Sequence, residues 1–331
     1  DANMSEISDY LPGRLGRNDT TLDTDERADP RIVQVLLAAG VLAQRPDEIV
    51  PKASYEDCLA YCAAFEDAAA EGNALLSANL AAPESVETSK EIIGGVDANE
   101  IQLYIHRPRK RAGRVPCIVH IHGGGMVLMG ATDPMFVRWR GALAELGVVV
   151  IGVEFRNGGG RLGNHPFPAG LNDCASAVQW ADSNRDALGI SSIVISGESG
   201  GGNLSLATAL KANKEGWIDQ IAGVYACCPY ISGQYENPPK TLLSLRENDG
   251  YVLSCNQMAA LVKVYDPANE HGTNPLAWPY HAQRDDLEGL PPHVISVNEL
   301  DPLRDEGLAY YRKLLSAGVL AVGRTVHGTP H

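Results

Sequence analysis

Apolar residues recur at spacings of three and four in PRIVQVLLAAGVLAQ (30–44) and YEDCLAYCAAFEDAAAEGNALL (55–76). That period predicts two amphipathic helices near the start of the chain. Residues 1–30 before them are polar, with DTDERADP as a solvated run, and read as a loosely held arm. From residue 87 the pattern changes to alternation, and SKEIIGGVDANEIQLYIHRP reads as a hairpin turning near Asp97-Ala98-Asn99. Short apolar runs then alternate with helical stretches. The predicted strands are CIVHIH (117–122), VVVIGVEF (148–155), SIVISG (192–197), IAGVYACC (221–228), HVISVN (293–298) and finally LAVGRT. Helices are expected near 133–146, 170–187, 200–214 and 304–317.

Near-continuous apolar strands separated by helices imply an α/β fold with a mostly parallel central sheet flanked by helices on both faces. Residues 229–292 interrupt the rhythm with prolines, aromatics and one weak helical run, SCNQMAALVKVY. This stretch is too long for an ordinary connection. It reads as an insertion that joins the N-terminal helices in a cap. The expected division is therefore 1–86 for arm and cap helices, and 87–331 for the main α/β domain, with the cap insertion around 229–292.

The chain has 331 residues, 44% of them apolar. At that length one large α/β domain with a lid needs no disulfide or metal staple. With 27 Lys and Arg against 41 Asp and Glu the net charge is −14, which disfavours nucleic acid as a partner. None of the seven cysteines forms a C-x-x-C pattern, so they read as reduced thiols. No basic-then-apolar signal segment opens the sequence, and no apolar run approaches the ~18 residues of a membrane span. The expectation is a cytoplasmic protein.

Ser199 lies in Gly197-Glu198-Ser199-Gly200-Gly201, directly after the strand SIVIS and directly before a helical run. A nucleophilic serine needs that context, because it must occupy a sharp strand-to-helix turn where flanking side chains would strike the crossing backbone. Glu198 reads as structural. His122-Gly123-Gly124-Gly125 follows the strand CIVHI. Consecutive glycines can aim several N–H groups at one developing oxyanion, and the expected donors are the amides of Gly124, Gly125 and Gly200. A phosphate loop is excluded because Met126-Val127 follows instead of Lys-Ser/Thr. His122 is expected to prop the glycine loop rather than transfer protons. After the serine, the acid is expected to be Asp301, at the end of the strand HVISVNEL, with Asp305 as runner-up. His327 and His331 both follow the last strand, and spacing alone leaves either as the base.

Together these motifs resemble the hormone-sensitive-lipase group of α/β-hydrolases, over about residues 90–331 and more weakly in the N-terminal helices. The resemblance rests on HIHGGGM (120–126), EFRN (154–157), HPFPAGLNDC (165–174), GESGGGNL (197–204), PYISG (229–233), ENDGY (247–251), AWPY (277–280) and NELDPLRDEG (298–307). Most members carry aspartate and alanine beside the serine, where this chain has Glu198 and Gly200. The family's last motif sets an arginine seven residues before the histidine, so Arg324 points to His331 as the base. The resemblance implies an α/β-hydrolase fold and a serine carboxylesterase acting on a small or medium ester or lactone, without cofactor or metal. An amidase or peptidase on the same fold, or a non-catalytic ligand-binding member, are the alternatives. It also implies pairing of copies through the last strand and terminal helix, and chain continuing beyond both ends of this sequence.

Overall fold

The computed structural model describes residues 12–42, 49, 52–77 and 83–331. Eight strands form one sheet: β1 (Val86–Gly94), β2 (Glu100–Pro108), β3 (Val115–Ile121), β4 (Val149–Glu154), β5 (Ile190–Glu198), β6 (Gly223–Cys227), β7 (His293–Asn298) and β8 (Ala321–Val326). Their order across the sheet is β1-β2-β4-β3-β5-β6-β7-β8. The hairpin β1–β2 pairs with Ile93 opposite Ile101, and β2 joins β4 antiparallel. From β4 to β8 every pairing is parallel, so the loops at the carboxyl ends of these strands open onto one edge. Val119, Ile121, Val153, Ile193 and Ile195 are fully buried, as strands covered on both faces require.

The helices are α1 (Pro30–Ala38), α2 (Tyr55–Ser77), α3 (Pro134–Glu145), α4 (Ala169–Ser183), α5 (Arg185–Leu188), α6 (Gly200–Glu215), α7 (Ser244–Glu247), α8 (Cys255–Tyr265), α9 (Arg284–Leu287) and α10 (Arg304–Ser316). Asp29 starts α1 by accepting the Arg31 amide at 2.9 Å, with Pro30 at the first helical position. That helix stops at Ala38, short of the expected 44, because the chain turns through left-handed Gly40; residues 43 and 44 lie outside the described ones. The helix expected over 170–187 is two, divided at Asn184, whose φ of −112° leaves the helical range. The insertion holds three helices, α7, α8 and α9, where the pattern showed one.

Residues 12–29 are docked rather than loose. Leu22, Thr20 and Asp25 are buried, and Arg14 donates to the Glu247 carbonyl at 2.6 Å while lying over the Tyr251 ring. Residues 1–11 of the expected arm lie outside the described residues. Helix α2 packs on α8, with Cys58 and Cys62 buried between them. Its Glu66 accepts the Met129 amide at 2.6 Å and the Arg161 amide at 2.7 Å. The helix is thereby fixed over the loops that follow β3 and β4. No helix among the described residues is long and apolar enough to cross a membrane.

Candidate active site

Ser199 stands between the end of β5 and the start of α6 with φ 54° and ψ −118°. That left-handed conformation costs a non-glycine residue about 1–3 kcal/mol. The surroundings enforce it: the Ser199 amide donates to the Cys227 carbonyl at 2.9 Å, and its own carbonyl accepts the amides of Asn203 at 3.0 Å and Tyr230 at 3.1 Å. Both flanking glycines are required. A Cβ on Gly197 would lie 2.3 Å from the Gly201 carbonyl oxygen, and one on Gly201 would lie 1.9 Å from that of Ile121.

The glycine loop after β3 lies beside this turn. Gly124 and Gly125 take φ of 101° and 62°, and a Cβ on Gly200 would meet the Gly125 nitrogen at 2.6 Å. The amides of Gly124, Gly125 and Gly200 donate to no group among the described residues. They remain available where the helix dipole of α6 also points. Gly123, by contrast, is committed: its amide donates to Glu198 Oε1 at 3.1 Å, and Glu198 Oε2 lies 3.0 Å from His120 Nε2. Burial opposes ionisation of Glu198, but His120, His122 and the Gly123 amide outweigh it and hold the carboxyl below its ordinary value. Its side chain thereby links the loop to β3 through Gly123 and His120.

His122 is buried, with Nδ1 2.7 Å from the Gly123 carbonyl and its ring stacked 4.3 Å from that of Phe155. Burial pushes its pKa down to about 4, so the ring is neutral and wedged.

On the neighbouring loops His331 Nδ1 lies 2.8 Å from Asp301 Oδ2. The fully buried Asp301 spends its other oxygen on the Leu303 amide at 2.9 Å. Burial alone would lower the His331 pKa, but the Asp301 charge and hydrogen bond overcome it and hold the imidazole above its ordinary value. Asp305 is engaged elsewhere, by Ser244 N and Arg304 Nε. His327 is exposed and lies 3.4 Å from Glu299. The structure thus brings Asp301 and His331 together and leaves both runners-up outside. The Ser199 hydroxyl makes no hydrogen bond among the described residues; in unliganded sites this link commonly tightens only with substrate bound.

Several supports escaped the sequence reading. Asn248 Nδ2 bridges the carbonyls of Asp301 at 3.1 Å and Glu299 at 3.3 Å. Asn298 Nδ2 holds the Pro330 carbonyl at 2.8 Å, and the Leu300 amide holds that of Thr329 at 3.0 Å. The segment before His331 is thereby laced to the loop that carries Asp301. ENDGY and NELD were visible as motifs, but pairing between side-chain amides and distant carbonyls leaves no periodic trace.

A mostly parallel sheet with a strained serine at its carboxyl edge, uncommitted amides beside it and an Asp–His pair on later loops defines the α/β-hydrolase class. The chain belongs to that family: the profile of the alpha/beta hydrolase fold matches residues 118–331. An arylesterase of Saccharolobus solfataricus is 32% identical over 235 residues, 70% of this chain and 72% of the relative. The carboxylesterase NlhH of Mycobacterium tuberculosis is 30% identical over 236 residues, 69% of each. Among solved structures, brefeldin A esterase, described as a bacterial homologue of human hormone sensitive lipase, superposes with TM-score 0.90 at 44% identity, covering 97% of this chain and 91% of that one. The esterase Est22 matches with TM-score 0.83 at 38% identity over 94% and 92%.

Proposed function

We propose that this carboxylesterase works through an acyl-enzyme on Ser199. His331 takes the hydroxyl proton as Oγ attacks the ester carbonyl, and Asp301 orients the imidazole and stabilises its cation. The carbonyl oxygen, now negative, rests on the amides of Gly124, Gly125 and Gly200, donors worth about 3–4 kcal/mol each when removed. The alcohol leaves with the proton from His331. Water then attacks the acyl-enzyme by the same route and releases the acid. The observation that carries the reading is the 2.8 Å His331–Asp301 contact on the edge that presents strained Ser199.

The substrate class is a small or medium ester or lactone. Helices α2 and α8, with the insertion, act as the cap: Leu261 of α8 overhangs Gly125 so closely that a Cβ there would lie 2.8 Å from its Cδ1. Copies of the chain are proposed to pair through edge strand β8 and α10, where Leu320, Val322 and Leu315 are exposed. Cytoplasmic residence accords with seven free thiols. A fluorophosphonate probe should label Ser199, and Ser199→Ala should abolish both labelling and hydrolysis of p-nitrophenyl esters with the fold intact. A panel of esters, lactones and amides of graded length reads the substrate class. Substantial turnover by folded S199A would refute the assignment.

A further inference from the structure

Cys228 follows β6, on the far side of Ser199 from the glycine loop. Its amide donates to the Ser296 carbonyl of β7 at 2.7 Å, and its φ is 37°. The preceding carbonyl, of Cys227, holds the Ser199 amide. The backbone at Cys228 is therefore pinned between the nucleophile turn and β7, and its thiol has no loop motion by which to withdraw. The chain buries that thiol against the Asp–His pair: one donor atom each from Cys228, Asp301 and His331 lie within 4.8 Å of one another.

We propose that Cys228, His331 and Asp301 form a site for a soft or borderline divalent cation, Zn2+ or Cd2+, whose occupancy stops ester turnover. Sulfur, imidazole nitrogen and carboxylate oxygen are the donors that zinc takes in tetrahedral sites. Bond lengths of about 2.0–2.3 Å place such donors about 3.3–3.6 Å apart. No separation needs to close by more than about 1.5 Å to reach that geometry, and the 2.8 Å His331 Nδ1–Asp301 Oδ2 contact opens where that nitrogen ligates. Cys228 and Asp301 are buried, whereas the His331 side chain keeps 14% of its surface exposed.

On binding, the Cys228 S–H bond breaks and its proton passes to solvent, as does any proton on the His331 nitrogen that ligates, and sulfur bonds the metal. A ring nitrogen of His331 and an oxygen of Asp301 supply the other two bonds by their lone pairs, with no change of oxidation state. The pair that moves the serine proton is then occupied. The effect on turnover rests on the roles proposed above for His331 and Asp301; the existence of the site does not.

The experiment uses the full chain in a buffer that does not bind metals. Zn2+ and Cd2+ should inhibit saturably, with recovery on adding EDTA, and Cd2+ should raise an ultraviolet thiolate-to-metal band. Cys228→Ser should keep wild-type turnover, lose that band's tightest equivalent, and need at least about tenfold more metal for half-inhibition. Inhibition of C228S at the wild-type concentration, or an unchanged band, would overturn the site. His331→Gln offers a second readout that needs neither activity nor any change at the thiol. It should weaken cadmium binding measured by the same band, and wild-type affinity there would also overturn the site. Tight cadmium binding through Cys228 with full turnover would overturn the inhibition and His331's role as base.

Discussion

Gly200→Ala tests the amide cluster through a known displacement. A Cβ at this position would lie 2.5 Å from the Met126 nitrogen, 2.6 Å from that of Gly125 and 2.7 Å from the Gly125 Cα. All three are backbone atoms, so no side-chain rotation relieves them. Ordinary contact begins near 3.4 Å, and the loop must therefore retreat by about 0.9 Å, on the scale at which misplacement costs about 10²-fold in rate. Losing one aligned donor to an oxyanion costs about 10²–10³-fold in kcat, so the variant is expected to fall in that range. KM should move little, because the donors act on charge that develops only in the transition state. Stability should fall by about 1–3 kcal/mol, because crowding against the Met126 and Gly125 backbone outweighs the up to about 1 kcal/mol by which a helix favours alanine. Gly141→Ala in α3 is the control: its Cβ would meet only the Pro83 side chain, at 3.2 Å and away from the loop, and kcat should stay near wild type. Wild-type kcat for a folded G200A, measured with p-nitrophenyl butyrate beside a thermal melt, would refute the reasoning.

Three further outcomes are expected. Because Asp301 holds the His331 pKa above its ordinary 6.5 and the base must be neutral, the acid limb of kcat/KM should fall above pH 6.5. Asp301→Asn should move that limb to lower pH while cutting kcat by about 10⁴-fold, and an unmoved limb would count against the pairing. Burial raises Glu306 to about 7 from 4.5, although the Ile231 and Ser232 amides and two hydroxyls bind it. The folded state therefore keeps a proton that the unfolded chain releases, and stability should decline as pH rises from about 4.5 to about 7. Thermal melts of Glu306→Gln across that window should lose this slope. Asn248→Ala removes one hydrogen bond from each of the Asp301 and Glu299 carbonyls, which keep their bonds from Arg304; it should cost about 1–2 kcal/mol and lower Tm by about 1–3 °C for a chain of this size, with kcat falling as Asp301 loosens.

What the sequence displayed follows from which interactions are periodic or local. Parallel strands buried on both faces appear as apolar runs, and all six expected after the hairpin lie within two residues of β3–β8. The Ser199 turn was legible because its glycines are forced by contacts to adjacent backbone. Asp301 was legible from its place at a strand end, whereas His331 needed the family spacing, since nothing local separates it from His327. The break at Asn184 was hidden because ALG ends a second turn whose apolar residue, Leu188, continues the same buried face. The docking of residues 12–29 was hidden for the opposite reason. Its stabilising groups are Arg14, Asp25 and Asp29, charged residues that look like a solvated run until the carbonyls and rings they meet, more than two hundred residues later, are in place.

That docking also explains how two loops far apart in sequence hold one geometry. Arg14 donates to the carbonyls of Glu247 and Asp249, on either side of the Asn248 that grips the Asp301 carbonyl. Asp25 accepts the Tyr251 hydroxyl at 2.9 Å in the same segment. Four residues further on, the Asp29 amide donates to the Gly328 carbonyl at 2.9 Å, three residues before His331. Glu299 completes the circuit by accepting the Gly328 amide at 2.8 Å beside Asp301. The N-terminal segment thus bridges the support of the acid and the support of the base. A 2.8 Å contact between two side chains on separate loops survives thermal motion only if those loops move together. The bridge supplies that constraint through hydrogen bonds to both loops, at the Glu247 and Asp249 carbonyls on one side and the Gly328 carbonyl on the other.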